Sequence, residues 1–537
     1  MGLVGLGCWM IWKGLSGSER APSEVKQAAQ PSLAPVQGGA GVFRKAVPER
    51  IESADVARCT DCDVVLVTVC SLRKDHVGAY GALQIDTPHM DRVAAQGMRF
   101  ESAYAASNFT LASLTAVLTG RFGSTTGVTG WDKGLTEDVP TLPEVLGLYG
   151  YATGGFTTDA PSGFRPDYGL DRGFQHMEIT PPPPGTPDGR DVGGSAASSG
   201  TVVAPAARWL AKQSTDGPVF LMLHSRTAHF PFVVDLSGAE EDETGITELL
   251  YKAGRADDTV RTEEQAMPGM AGGTEQQGIV PISGPDPLQV AVNAQGLPAV
   301  LVWKQRYREA VERMDGDMAA LWVALEARGR LDKTVIVVVA DHGESLNDHG
   351  ELLHGDAFYD GVINVPLMIR VPGMPGGRAS SALVSQVDIL PTILELIGAM
   401  SPAGVDGQSM VGLLDGSATS IRSATLSEGG VARQTGPDLP GAVIAPPWIL
   451  LKQRRGCGTG PMVMDGEIAV CLYNREEDPG QERSVAASQP EVISMLMARW
   501  SGFREARAGA GRQLDLSPAF VEALQKTGYD FSTGVPE

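Results

Sequence analysis

TVIVVVADHGE, residues 334–344, is a strand-length apolar run that ends directly in two carboxylates and an imidazole. The run is continuous rather than alternating, so a strand here is covered on both faces. DVVLVTV (63–69), PVFLMLH (218–224) and PLMIRV (366–371) read the same way. Helical patterns lie between these runs. TLPEVLGLYG (141–150) places Glu144 three residues after Thr141, the spacing of a capping box. WKQRYREAVERMDGDMAALWVALEARG (303–329) is amphipathic and stops at Gly329, and VDILPTILELIGAM (387–400) has a proline near its first turn. Strands alternating with helices predict an α/β fold with a mostly parallel central sheet flanked by helices.

Outward from this core the pattern changes. Residues 1–12, MGLVGLGCWMIW, are almost wholly apolar and end at Lys13. That length is too short to span a bilayer, and the basic n-region of a signal peptide is missing, which also argues against Cys8 as a lipoprotein cysteine. Residues 14–50 are rich in Ala, Pro, Gly, Ser and Gln and read as a linker. An apolar stub before such a linker resembles a tethered enzyme. The expectation is therefore an extracytoplasmic protein, periplasmic or held at a membrane. Residues 181–200 read as a loop, and 235–297 as an acidic, Gly-rich surface insertion. Beyond residue 425, WILLKQ (448–453) and EIAVCLYN (467–474) read as antiparallel strands and PEVISMLMARW (490–500) as a helix. The expected division is a stub and linker over 1–60, a catalytic domain over 61–425, and a smaller C-terminal subdomain and tail over 426–537.

A chain of 537 residues can bury a large core. Its 43 basic and 64 acidic residues give a net charge of -21, which argues against a nucleic-acid partner. Six cysteines are too few for a disulfide framework at this length. Cys457 and Cys471 flank a hairpin-length segment and could be bridged in an exported protein. Cys59 and Cys62 form a single CxxC with no second pair nearby, which argues against structural zinc.

In an open parallel sheet, functional groups gather beyond the carboxyl ends of the strands. Three ends are informative. One leads into Cys70-Ser71-Leu72-Arg73-Lys74-Asp75-His76, one through His224 to Ala228-His229-Phe230-Pro231, and one into Asp341-His342-Gly343-Glu344. Carboxylate and imidazole together suit a hard or borderline divalent cation. A polar loop with all its hydrogen bonds satisfied is the competing reading of DHGE. TLASLTAVLTGR (110–121) sets the Thr110 hydroxyl ahead of an apolar helix, where it either meets an oxyanion at the helix N-terminus or serves as an N-cap.

Taken together, these segments resemble the sulfatase branch of the alkaline-phosphatase-like hydrolases. VVLVTVCSLRKDHVGAYG resembles the opening strand and loop, in which an Asp, then Ser or Thr, then x-Arg begins the active site. TPHMDRVAAQGMRFESAYA resembles the segment that follows. TLASLTAVLTGR resembles the signature C/S-x-P-S-R-x-x-L-L-T-G-R. GYATGGFTTDA, GLDRGFQHM, LHSRTAHFPF, VIVVVADHGESLNDHGELLHG, VPLMIRVPG and LYNREEDPGQE continue in the family's order. The resemblance runs from about residue 62 to about residue 500. It implies an α/β sandwich with a small C-terminal antiparallel sheet. It also implies one divalent cation (zinc, manganese, calcium or magnesium) and an anionic ester substrate, either a small molecule or part of a glycan or lipid. Carried across residue by residue, it puts Thr110 at the nucleophile, Asp341, His342, Thr110 and Cys70 at the metal, and His229 against substrate. His354 and Arg73 are further candidates.

Three positions depart from the family. Threonine cannot be oxidised to formylglycine, because its β-carbon bears a methyl group. Ala112 and Leu114 stand where the signature has Pro and Arg, which removes a charge that helps hold the anion. Cys70 replaces the first ligand, usually Asp, and a thiolate favours softer ions such as zinc. Asp63 and Asp75 are the nearest carboxylates that could substitute, one ahead of the strand and one a turn beyond it. The leading expectation is a metal-dependent hydrolase of sulfuric or phosphoric esters, with phosphotransfer as a variant. The other is an impaired member kept for binding or structure.

Overall fold

Asp63–Val69 is buried at every position and forms strand β1 inside an eight-stranded sheet. The computed structural model describes residues 59–158, 163–180, 199–229, 297–355, 357–429, 439–453, 456–457, 463–465, 468–505, 509 and 511–514. The other strands of this sheet are β2 (Met98–Tyr104), β3 (Ala152–Thr158), β4 (His176–Thr180), β5 (Val219–Ser225), β6 (Thr334–Ala340), β7 (Leu367–Arg370) and β8 (Arg378–Ser385). Their spatial order is β8-β2-β7-β6-β1-β5-β3-β4. Only β7 runs against the rest, antiparallel to both β6 and β2. The expected mostly parallel sheet is therefore present. The expected strands at 63–69, 218–224, 334–340 and 366–371 each coincide with an observed one to within a residue at either end.

β2, β3, β4 and β8 do not stand out as apolar runs. RASSALVS in β8 is half exposed over its first four residues, and β3 carries two glycines and three threonines. Such strands take their place from the ladder beside them more than from their own composition.

The helix Leu297–Ala327 lies against Pro88–Gln96 and Ser199–Leu210. Its buried residues Trp303, Tyr307, Val311, Met314, Met318, Leu321 and Leu325 recur every three or four positions, the stripe of a helix with one covered face. The capping box is made: Thr141 N–H donates to Glu144 Oε2 at 2.9 Å, and the helix Leu142–Leu148 follows. At the start of β1 the Asp63 carboxylate is wholly buried. It accepts from Val219 N–H (2.9 Å) and from the guanidinium groups of Arg328 (2.7 Å) and Arg330 (3.3 Å).

A second sheet, β9 (Thr425–Glu428), β10 (Gly441–Ala445), β11 (Trp448–Gln453), β12 (Val463–Asp465) and β13 (Ile468–Asn474), is antiparallel throughout, in the order β9-β10-β11-β13-β12. The helix Pro490–Glu505 packs on it through Trp500, which meets Gly441. Cys457 and Cys471 are joined by a disulfide, as are Cys59 and Cys62. No helix among the described residues is long and apolar enough to cross a membrane. The apolar stub, the linker and nearly all of the 235–297 segment lie outside the described residues.

Candidate active site

β1, β5 and β6 end level with one another. Val69 pairs with both Ser225 and Ala340, Cys70 N–H donates to Ser225 O (2.8 Å), and Asp341 N–H donates to Val69 O (3.2 Å). This parallel register brings Cys70, Arg226 and Asp341 to one edge although they are far apart in sequence. The next residue, Ser71, adopts the left-handed conformation at φ 59°. That conformation is strained for a residue with a β-carbon and needs support from its surroundings. Tyr307 supplies it. Its hydroxyl donates to Ser71 O (2.6 Å) and accepts from Arg73 N–H (2.8 Å).

Asp341 is fully buried. Its Oδ1 accepts from Ser71 N–H (3.1 Å) and from His342 N–H (2.6 Å), while Oδ2 lies 3.6 Å from His342 Nε2 and has no well-formed hydrogen bond among the described residues, with the Cys70 thiol nearby. Burial pushes this carboxyl up, but the pull of His342 and His224 outweighs it and holds the group below its usual range. A buried carboxylate oxygen left with at most a weak thiol donor is costly unless a cation meets it. His342 is equally buried. Its Nδ1 donates to Gly343 O (2.8 Å), which leaves the Nε2 lone pair facing Thr110 Oγ1 at 3.3 Å. Burial pulls this imidazole down to about 4, so it is neutral at physiological pH. Gly343 allows the close approach of the chain at Gly361 and Val362; a β-carbon there would overlap Gly361 O.

Thr110 is the first residue of the fully buried helix Thr110–Thr119, and Phe109 is the N-cap. The hydroxyl is therefore not spent on capping. It lies 3.4 Å from Cys70 Sγ and 3.3 Å from His342 Nε2. Burial and the Asp341 carboxylate push the Cys70 thiol well above its ordinary range. Cys70, Asp341 and His342 each offer a ligand atom, all within 4.8 Å of one another. A neutral imidazole presenting a lone pair, a thiol and a carboxylate oxygen together fit a divalent cation.

The other expected residues fall into two groups. His229 and His354 join the cluster. Their rings are 5.0 Å apart, and the His354 ring lies 4.1 Å from that of His342. Arg73 braces the frame instead: its guanidinium bonds Asp75, Asp348 and the Glu344 carbonyl. Asp75 is taken up by Arg73 and His76, and Asp63 sits at the opposite end of β1, so neither replaces the carboxylate missing at Cys70. Ala112 and Leu114 are buried among apolar side chains of the core.

Sequence reasoning placed His224 and Glu344 at strand ends without giving them a role, and did not single out Arg226 or Tyr307. Glu344 Oε1 meets His354 Nδ1 at 3.0 Å, and burial pushes its carboxyl up to about 8. His224 Nδ1 donates to Thr68 Oγ1 (2.9 Å), which in turn donates to Leu223 O, and burial pulls the ring down to about 4. Arg226 is wholly buried one residue beyond β5. Glu344 and the two β5-end residues sit at strand ends already singled out. Tyr307 gives no such signal, because its role appears only once the helix packs beside Ser71.

Comparison with known proteins agrees with this picture. A family profile described as Sulfatase matches residues 63–399. N-acetylglucosamine-6-O-sulfatase of Bacteroides thetaiotaomicron is 25% identical over 391 residues, 63% of this chain and 68% of the relative. Steryl-sulfatase of Rattus norvegicus is 26% identical over 419 residues, 66% and 70% of the two chains. Similarity to arylsulfatase K of Bos taurus is confined to 33% of that relative's length. Among solved structures, phosphonate monoester hydrolase of Agrobacterium radiobacter superposes with a TM-score of 0.61 at 20% identity, over 83% of this chain and 96% of that one. At that identity the likeness is one of fold. The chain belongs to the sulfatase family of the alkaline-phosphatase-like superfamily.

Proposed function

We propose that this chain hydrolyses phosphoric or sulfuric esters, with Thr110 as the attacking group and one divalent cation held by Cys70, Asp341, His342 and Thr110. The observation that carries this reading is the placement of Thr110 Oγ1, buried at the N-terminus of its helix within 3.4 Å of both Cys70 Sγ and His342 Nε2. A bound cation would lower the pKa of the threonine hydroxyl and offset charge growing on the ester. Thr110 Oγ1 forms a bond to phosphorus or sulfur as the bond to the leaving alcohol breaks, and the proton that Oγ1 gives up is balanced by the one the departing alcohol oxygen gains. The alcohol oxygen takes up one proton, and His229 is the imidazole assigned to it. Water then attacks the threonine ester, the bond to Oγ1 breaks, and the hydroxyl is restored. Phosphorus suits this route better than sulfur, because no second hydroxyl on Thr110 can expel sulfate. The substrate class is an anionic ester on a small molecule, glycan or lipid, in keeping with the names of the N-acetylglucosamine and steryl relatives. Two disulfides support an extracytoplasmic setting.

The second reading, an impaired member kept for binding, is favoured by Cys70, Ala112 and Leu114. Turnover separates the two. Aryl phosphate, phosphodiester and aryl sulfate are assayed with zinc, manganese, magnesium and calcium in turn. Phosphate turnover exceeding sulfate turnover is expected. Efficient sulfate cleavage refutes that preference, and no turnover with any ion supports the impaired reading.

A further inference from the structure

We infer that the Cys70–Asp341–His342 cluster, with its sulfur and nitrogen donors, selects zinc-class ions over calcium, magnesium and manganese; this rests on the reading above that these residues hold a cation. The first argument is donor number. Among the described residues, one sulfur, one nitrogen and one carboxylate oxygen converge, with Thr110 Oγ1 beside them. Calcium takes about six to eight oxygens and magnesium an octahedron that retains several waters. Here half of the four donors are not oxygen, and all four residues are fully buried among the described residues.

The second argument is spacing. Sγ to Oγ1 is 3.4 Å, Oγ1 to Nε2 is 3.3 Å, and Nε2 to Asp341 Oδ2 is 3.6 Å. Neighbouring donors around one ion with bonds of about 2.0–2.6 Å stand about 3–3.7 Å apart, so these atoms can share a single cation. Preorganisation is the third. The Gly343 carbonyl fixes the His342 tautomer that leaves Nε2 as the donor, and Tyr307 holds the left-handed Ser71 turn beside Cys70. The sulfur donor then decides among the remaining ions, because thiolate strengthens zinc and cobalt binding far more than manganese binding. Cys70 gives up its thiol proton to solvent when it ligates.

The test uses the full-length protein, stripped with a chelator and dialysed against each ion. Bound metal is counted by mass spectrometry, and cobalt(II) loading is followed by absorption. One zinc per chain is expected, held at least about 100-fold tighter than manganese, calcium or magnesium. Cobalt should give a sulfur-to-metal charge-transfer band in the near ultraviolet. Cys70→Ser should abolish that band, and Cys70→Asp should move the preference toward manganese or magnesium. Stoichiometric calcium or magnesium binding without zinc preference overturns the inference, as does a cobalt adduct lacking the sulfur band. If Cys70→Asp does not fold, the native cobalt spectrum decides. Ester hydrolysis dependent on Thr110 but running on calcium would sink this inference alone. Zinc bound through Cys70 with activity unchanged in Thr110→Ala would sink only the functional reading.

Discussion

Thr110 Oγ1 and His342 Nε2 lie 3.3 Å apart although 232 residues separate them in the chain. The helix that begins at Thr110 and the loop that leaves β6 at His342 meet only in the folded protein, where Cys70 Sγ lies 3.4 Å from Thr110 Oγ1 and Asp341 Oδ2 lies 3.6 Å from His342 Nε2. Thr110→Ala should therefore lower ester turnover at least about 1,000-fold, the scale seen when a nucleophile is removed. No neighbour can substitute, since Ser113 Oγ donates to Ser107 O at 3.0 Å. Activity that survives the substitution removes Thr110 from the mechanism.

Thr110 should also be chemically unmodified, even when the protein is made beside a formylglycine-generating enzyme. The mass of a peptide covering residues 100–121 tests this directly. A loss of two hydrogens at Thr110 is the contrary result.

Tyr307→Phe removes one hydroxyl that bridges two backbone groups, Ser71 O and Arg73 N–H. Both are left buried without that partner, so chemical denaturation should show a loss of about 1–3 kcal/mol. Because the strained turn adjoins Cys70, zinc affinity should fall by about 10- to 100-fold as well. A stability loss with zinc affinity unchanged would show that the hydroxyl supports the fold alone.

Glu344 orients His354 through its contact with Nδ1. Glu344→Ala should reduce kcat about 10-fold or more with little change in KM, whereas Glu344→Gln, which can still accept a hydrogen bond, should recover most of it. Equal loss in both variants argues against an orienting role.

Much of this architecture could be read before any coordinates were known, for a physical reason. β1, β5 and β6 are covered on both faces, so each is written as an apolar run with its reactive residues next in sequence. Cys70, His224 and Asp341 follow directly from that pattern. Whether Thr110 was an N-cap or a free hydroxyl was not legible, because the boundary of a helix is settled by packing; here the cap falls on Phe109. Arg73 was a candidate through the family resemblance, and its bonds to Asp75, Asp348 and Glu344 O are those of a brace. Tyr307 was invisible, since a tyrosine inside an amphipathic stripe looks like any other core residue.

Arg328→Ala leaves the buried Asp63 carboxylate with only Arg330 as a cationic partner. Loss of one partner from a buried pair typically removes about 3–5 kcal/mol, and the unfolding midpoint in urea should fall accordingly. A change below about 1 kcal/mol would place the pair among surface-like contacts.

That ion pair also acts as a ruler. β1 is pinned at its first residue by Arg328 and delivers Cys70 just past its last. Sliding a strand by one residue displaces it about 3.3 Å and turns every side chain to the other face. An all-apolar strand between two others offers little resistance to such slippage, since Val and Leu are nearly interchangeable along it. Asp63 removes that degeneracy, because only one alignment returns its charge to Arg328. The accuracy with which a sulfur atom meets Thr110 is thus set in part seven residues upstream, at the far end of the sheet.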